Sequence, residues 1–258
     1  MLLKVPSRNN DKLRQVVSRI NQDVELEQLW KSVNINAVDR SGISDHGATH
    51  VHIMANAGIK ILRLLVASGI KTSVENDYGL TQHDAEVIIV LAACLHDLGI
   101  AIHRDNHEQY SLVLAAPKLR ELLDGVYDVT QRTIIAAETL HAIVAHRWNE
   151  RCLTTEAGVV KVADALDMTQ GRSRIPFEAG EINIHSVSAA AIDSVSLLKG
   201  EKVPIRIEIA MSNSAGIFQV DELLKRKLHH SSISPYVEVV VRIEGEAEKR
   251  IIKLYALQ

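Results

Sequence analysis

Apolar residues recur at helical spacing through the first two thirds of the chain, three and four positions apart. No strand-like alternation precedes residue 175. We therefore predict helices over residues 9–21, 23–33, 45–69, 81–99, 106–123, 129–147 and 155–170.

The segment TQHDAEVIIVLAACLHDLG, residues 81–99, differs from the other helices because its middle is apolar on every side. Such a helix is typical of the centre of a bundle, where all of its faces are buried. Thr81 and Asp84 have the spacing of a capping box, and Gly99 follows as a helix stop. The pattern therefore predicts a central buried helix that ends close to His96 and Asp97.

The pattern changes near Arg174-Ile175-Pro176. Residues 203–212, 236–245 and 248–257 alternate with period two, as strands do, and the last two predict a hairpin. Between the first and second of these strands, FQVDELLKRKLHH predicts an amphipathic helix. Glu181 to Leu198 is ambiguous between helix and strand. We predict an all-α domain over residues 1–175 and a small α+β domain over residues 176–258.

Composition narrows the class of protein. Of 258 residues, 47% are apolar and 24% charged, which excludes a disordered chain. The 29 basic and 32 acidic residues give a net charge of −3, which argues against nucleic-acid binding. Cys94 and Cys152 cannot form a disulfide framework, and we find neither a membrane-spanning stretch nor a signal peptide. We therefore expect a cytoplasmic protein without a membrane partner.

Histidines are the most unusual feature of the composition, since nine of the twelve lie between His46 and His146. His96-Asp97 ends an apolar helix, where burying both groups is costly unless they are paired or bind a metal. A helix-capping His–Asp hydrogen bond is the simpler interpretation. With His50 and Asp164 on two further helices, however, two imidazoles and two carboxylates can converge on one ion. Such mixed ligands suit Mn, Fe, Co, Ni, Zn or Mg.

The order His50, His96-Asp97, Asp164 resembles the H…HD…D signature of the HD superfamily of metal-dependent phosphohydrolases. HVHIMA, LAACLHDLG and VVKVADALD surround these residues, and the resemblance covers roughly residues 40 to 170. It implies an HD-domain helical bundle in the first domain. It also implies hydrolysis of a phosphoester by a metal-activated water, with Asp97 as both ligand and catalytic group. Nucleotides and related small phosphorylated molecules are the substrates that it suggests.

Many members of this superfamily bind a second metal through extra histidines, with the Asp of the doublet bridging both ions. His107 and His146 occupy positions consistent with that role, so the resemblance implies one or two ions per chain. Several dinuclear families have paired histidines where this chain has His146-Arg147. Arg147 cannot be a ligand, and we interpret it as a phosphate-binding residue.

Four further residues are candidates for contact with an anionic substrate. Lys161 lies one helical turn before Asp164, on the same face, and we predict it as a catalytic phosphate ligand, with a surface lysine as the simpler alternative. Arg172 and Arg174 follow the same helix, in a turn that could equally be a solvated linker. His103 lies in a loop and either faces the substrate or is solvated.

Two other functions remain open at this point. The metal site could be structural or degenerate, in which case the protein senses a nucleotide or scaffolds a partner. Alternatively the protein is a nuclease, although its acidic balance argues against that. The C-terminal region suits ligand sensing or subunit pairing, for example by an edge strand at residues 250–257 that forms a homo-oligomer.

Overall fold

The computed structural model describes residues 2–169, 188–243 and 254–257. Eight α-helices occupy the first of these ranges, together with a π-helical turn at Ile35–Arg40 and a 3₁₀ turn at Leu98–Ala101. They are α1 (Asp11–Gln22), α2 (Val24–Asn34), α3 (Ala48–Ala67), α4 (Ser73–Tyr78), α5 (Gln82–Leu95), α6 (His107–Leu123), α7 (Val129–Ala145) and α8 (Thr155–Ala165). The predicted helical bundle is thus confirmed. α4, with its own capping box at Thr72 and Glu75, was not among the predicted helices.

α5 is the central helix of the bundle, as predicted. Every residue from Asp84 to Leu95 is buried, and the helix packs against α1, α3, α7 and α8. The capping box forms, with the Thr81 backbone N–H donating to Asp84 Oδ2 at 2.9 Å. This packing carries His96, the residue after the last turn, into the interior of the bundle.

α3 crosses α5 at close range because Gly58 has no side chain. A Cβ at Gly58 would lie 2.6 Å from Ile89 Cγ2. Among the described residues, α3 is the one helix long and apolar enough to cross a membrane, yet 50% of its most apolar window is buried inside the fold. Its burial against α5 and α8 is that of a core helix.

α8 ends at Ala165, five residues earlier than the predicted limit of 170. Leu166 is the C-terminal cap, and the chain that follows brings Asp167 back against α3. The bundle therefore delivers both Asp164 and Asp167 to the first turn of α3.

The C-terminal region is a four-stranded sheet with one covering helical segment, which confirms the small α+β architecture. Its strands β1 (Ile192–Lys199), β2 (Ile205–Met211), β3 (Val237–Ile243) and β4 (Leu254–Leu257) lie in sequence order. β1 and β2 pair antiparallel, β2 and β3 parallel, and β3 and β4 antiparallel, so the predicted hairpin is present. β1 resolves part of the ambiguous stretch as a strand, whereas residues 181–187 lie outside the described ranges.

The parallel pair is joined through the helical segment that the sequence predicts, here α9, residues 217–229. Ile205, Ile207 and Ile209 of β2 are buried, and so are Val220 and Leu224 of α9. β4 stands at the edge of the sheet, where the edge strand was expected. Pairing of that edge with a second copy stays a prediction.

The chain after α9 is hydrogen-bonded to the start of α8. Ser231 Oγ donates to the carbonyl oxygen of Gly158 at 3.0 Å, and Ser232 Oγ donates to that of Thr154 at 2.6 Å. A Cβ at Gly158 would lie 2.2 Å from Ser232 Oγ, so this approach requires glycine. The division at residues 175 and 176 stays a prediction, because residues 170–187 lie outside the described ranges.

Candidate metal centre

Three helices supply the side chains of the predicted metal site. His50 lies in the first turn of α3, His96 and Asp97 follow α5, and Asp164 lies in the last turn of α8. The start of α3 is held by Asp45, whose Oδ1 accepts from the backbone N–H groups of Gly47 and His50 at 3.1 and 3.4 Å. Rigid helix ends therefore position the side chains.

Four donor atoms of these residues converge at one place. His50 Nε2 lies 3.3 Å from His96 Nε2 and 3.2 Å from Asp164 Oδ1. His96 Nε2 lies 3.0 Å from Asp97 Oδ2, which in turn is 3.8 Å from His50 Nε2. Only 0%, 1%, 7% and 13% of the His50, His96, Asp97 and Asp164 side chains are exposed.

A second group of side chains meets the other oxygen of Asp97. Asp97 Oδ1 lies 3.1 Å from His107 Nε2 and 3.8 Å from His146 Nε2. The His107 and His146 ring centroids are 5.4 Å apart. Asp97 therefore faces one pair of histidines with each of its two oxygens.

The ring orientations leave nitrogen lone pairs available at this centre. The Nδ1 atoms of three rings lie next to oxygen acceptors: Asp167 Oδ2 at 2.7 Å from His50, Ala93 O at 3.0 Å from His96 and Ile143 O at 2.5 Å from His146. A neutral imidazole that donates through Nδ1 keeps the lone pair on Nε2, which is the atom that faces the cluster.

His107 differs in detail, since its Nδ1 lies 3.0 Å from the carbonyl oxygen of Arg104 and 2.8 Å from the guanidinium of the same residue. Its Nε2 nevertheless points at Asp97. Imidazole nitrogens and carboxylate oxygens around a buried centre are ligands that fit a divalent cation.

The charge states fit the same interpretation. Burial opposes ionisation of Asp97 and Asp164, but nearby histidines and, for Asp164, Lys227 outweigh it and hold the pKa of each carboxyl well below its usual range. Burial, with His96 beside it, holds the pKa of His146 well below its ordinary value. At neutral pH the centre therefore offers two carboxylates and a neutral His146.

Two residues at this centre were not among the predicted site residues. Asp167 is buried and accepts from His50 Nδ1, which orients that ring. Its position one turn after Asp164 is a signal that the sequence contains. Lys227 of α9 forms an ion pair with Asp164 Oδ2, and no spacing in the sequence links two residues so far apart.

Two of the residues predicted to contact the substrate lie away from the histidine cluster. Lys161 is fully buried, and its ammonium donates to the carbonyl oxygen of Glu150. His103 is exposed, and its Nδ1 accepts from the backbone N–H of Asp105 at 3.0 Å. No described contact joins either residue to the histidine cluster.

Arg147 is 35% exposed and lies 4.0 Å from Glu108, which itself is 3.5 Å from His107. It therefore borders the second group of histidines. Arg172 and Arg174 lie outside the described residues.

Comparison with known proteins points in the same direction. The sequence pattern of the HD domain matches residues 64–169, a range that contains His96, Asp97 and Asp164 and begins after His50. The chain is 42% identical to an uncharacterized protein of Methanocaldococcus jannaschii over 233 residues, which is 90% of each chain. No solved structure matches.

Proposed function

Since this chain belongs to the HD-domain family, we propose that it is a metal-dependent phosphohydrolase acting on a phosphoester of a nucleotide or a related small phosphorylated molecule. The observation that carries the proposal is the convergence of four imidazole Nε2 atoms on the two oxygens of Asp97. In this proposal His50, His96, Asp97 and Asp164 hold one divalent ion. His107 and His146, with Asp97 shared, hold a second.

A bound divalent cation supplies Lewis-acid activation of water and neutralises charge on phosphate oxygens. Mn, Fe, Co, Ni, Zn and Mg all accept nitrogen and oxygen ligands of this kind. Because its pKa is low, Asp97 is a carboxylate at neutral pH. In this proposal it binds the metal ion and orients the attacking water. The water oxygen bonds to phosphorus and gives up a proton to solvent, while the ester bond breaks and the leaving oxygen takes up a proton.

An exposed aromatic residue two positions after His146 supports a nucleotide substrate. Trp148 follows Arg147 and is 53% exposed, and the guanidinium of Arg226 lies 5.8 Å from its ring centroid. An indole face beside a cation is the kind of surface on which a base stacks while its phosphate is neutralised. The two free cysteines, Cys94 and Cys152, support a reducing, cytoplasmic setting.

A turnover assay tests the proposal. Purified protein supplied with Mn²⁺ is incubated with nucleoside mono-, di- and triphosphates, cyclic dinucleotides and single-stranded RNA, and the products are separated by chromatography. We expect hydrolysis of at least one small phosphoester, lost on chelation and in Asp97→Ala. Asp77→Ala, which removes an exposed carboxylate on α4, serves as the matched control.

Full activity in Asp97→Ala would contradict the proposal. If no compound is turned over while a nucleotide still raises the melting temperature, the binding-module interpretation takes its place. Cleavage confined to RNA would favour the nuclease.

A further inference from the structure

Lys227 places a cation against Asp164, one of the residues of the first candidate metal site. Its ammonium pairs with Asp164 Oδ2, while Asp164 Oδ1 faces His50 Nε2 at 3.2 Å. The lysine belongs to α9 and thus to the C-terminal region. The first candidate site therefore contains a charged group from outside the helical bundle.

The position of Lys227 is fixed by the packing on both sides of it. Leu224 and Leu228, on the same helical segment, are buried. Immediately afterwards, the carbonyl oxygen of His230 accepts from the Cys152 backbone N–H at 3.0 Å, and Ser231 is bonded to Gly158. Lys227 is thus held against α8 by a docked helix.

Of the side chains in the first candidate site, Asp164 is the most exposed to solvent, and Lys227 beside it is nearly as exposed. Asp164 and Lys227 have side chains 13% and 11% exposed, whereas His50 and His96 are 0% and 1% exposed. A ligand that enters from solvent therefore meets Asp164 and Lys227 before it meets those two histidines.

The charge balance indicates what Lys227 does when a cation occupies the centre. In the described structure its charge is compensated by Asp164. A divalent ion that shares Asp164 competes for that carboxylate, and the ammonium is left with uncompensated charge at the opening. An ammonium is a compact point charge with three donors, and phosphate oxygens are among its usual partners.

We propose, building on the proposed function, that Lys227 binds a phosphoryl oxygen of the substrate, so that the C-terminal region completes the active site. The sequence predicted this role for Lys161, but Lys161 is buried and its ammonium donates to the Glu150 carbonyl oxygen. Arg226, next to Lys227, extends the basic edge toward Trp148.

The test is calorimetric titration of inorganic phosphate into Mn²⁺-loaded protein. Lys227→Met removes the charge and keeps the length of the side chain, so we expect phosphate affinity to fall by roughly tenfold or more. Lys227→Arg retains the charge and should bind phosphate nearly as the wild type does. Lys225→Met is the matched control, since Lys225 lies on the same segment, is 54% exposed and pairs with Asp221.

Titration of Mn²⁺ alone into metal-free protein gives a second readout. Lys227→Met should bind Mn²⁺ as tightly as the wild type or more tightly, because the lost ammonium competes for Asp164. A merely structural lysine predicts the opposite, a fall in Mn²⁺ affinity together with the melting temperature, and that result would overturn the proposal.

Unchanged phosphate affinity in Lys227→Met, or no phosphate binding by the loaded wild type, would also overturn it. Failure of the proposed function is distinguishable. In that case the wild type binds Mn²⁺ and phosphate with the expected dependence on Lys227 but hydrolyses no phosphoester.

Discussion

Replacing Asp167 with alanine should weaken divalent-metal binding without removing a metal ligand. Asp167 Oδ2 accepts from His50 Nδ1 at 2.7 Å, and both side chains are buried. A hydrogen bond to a charged group contributes roughly 1.5–3 kcal/mol, which corresponds to about 10- to 160-fold in a binding constant. Residues that orient a metal-ligating histidine typically contribute about 10- to 100-fold to affinity, so the two ranges agree.

Loss of the hydrogen bond and loss of the negative charge should both lower the metal affinity. Without Asp167 the His50 ring loses an acceptor that fixes its tautomer and orientation, and the centre also loses a negative charge that attracts the cation. Asp167→Asn keeps an acceptor oxygen and loses only the charge, so its effect should be smaller than that of alanine.

The assay is calorimetric titration of Mn²⁺ into chelator-stripped protein, with Asp77→Ala as the exposed control. Circular dichroism and the melting temperature of the metal-free variants separate loss of a ligand-orienting contact from loss of the fold. Mn²⁺ affinity of Asp167→Ala within twofold of the wild type would refute the reasoning.

Three further predictions follow from contacts already described. Gly99→Ala should destabilise the fold by roughly 3 kcal/mol, because its Cβ would lie 2.0 Å from the His107 carbonyl oxygen and 2.6 Å from the Ser111 backbone nitrogen. An unchanged midpoint of urea unfolding would show that the backbone at His107 and Ser111 does not pack tightly against Gly99. Metal at a hundred times its dissociation constant should stabilise the chain by about 2.7 kcal/mol, which is a rise in melting temperature of roughly 5–11 °C. EDTA should abolish that rise, and a rise that survives EDTA would argue against a metal site. Metal-free protein should lose stability as the pH falls below about 6.5. Burial and His96 lower the pKa of His146 in the folded state, so below that pH the unfolded chain binds a proton that the folded chain does not. His146→Gln should flatten this pH dependence of the urea midpoint, and an unaltered slope would count against it.

Local pattern was sufficient for much of the fold. The all-apolar run of α5 predicted its central place, and the alternation of β2 and β3 predicted strands. Periodicity is a property of neighbouring residues, so the sequence contains it directly. The 181–198 stretch has no clear period, and its strand from Ile192 is stabilised by pairing with β2.

The candidate site divides in the same way. His96 and Asp97 could be singled out because they end an apolar helix, and the resemblance to the HD signature added His50 and Asp164 to them. Lys227 could not, because its partner lies 63 positions away and the ion pair depends on how α9 docks. Lys161 shows the converse. Helical spacing places it on the face of Asp164, but only the packing reveals that its ammonium turns to Glu150.

The glycine at position 158 has a consequence for how this chain could be recombined. Ser231 and Ser232 occupy the space that any side chain at 158 would need. A chimera that kept the helical region and exchanged the C-terminal one would lose the hydrogen bonds to the Gly158 and Thr154 carbonyl oxygens unless the replacement also brought hydroxyl side chains against α8. Conversely, a helical region with alanine at that position would bring its Cβ against both serine hydroxyls, so the Ser231 and Ser232 side chains would have to move. Exchange of either region should therefore be best tolerated when α8 and the Ser231–Ser232 turn are transferred together.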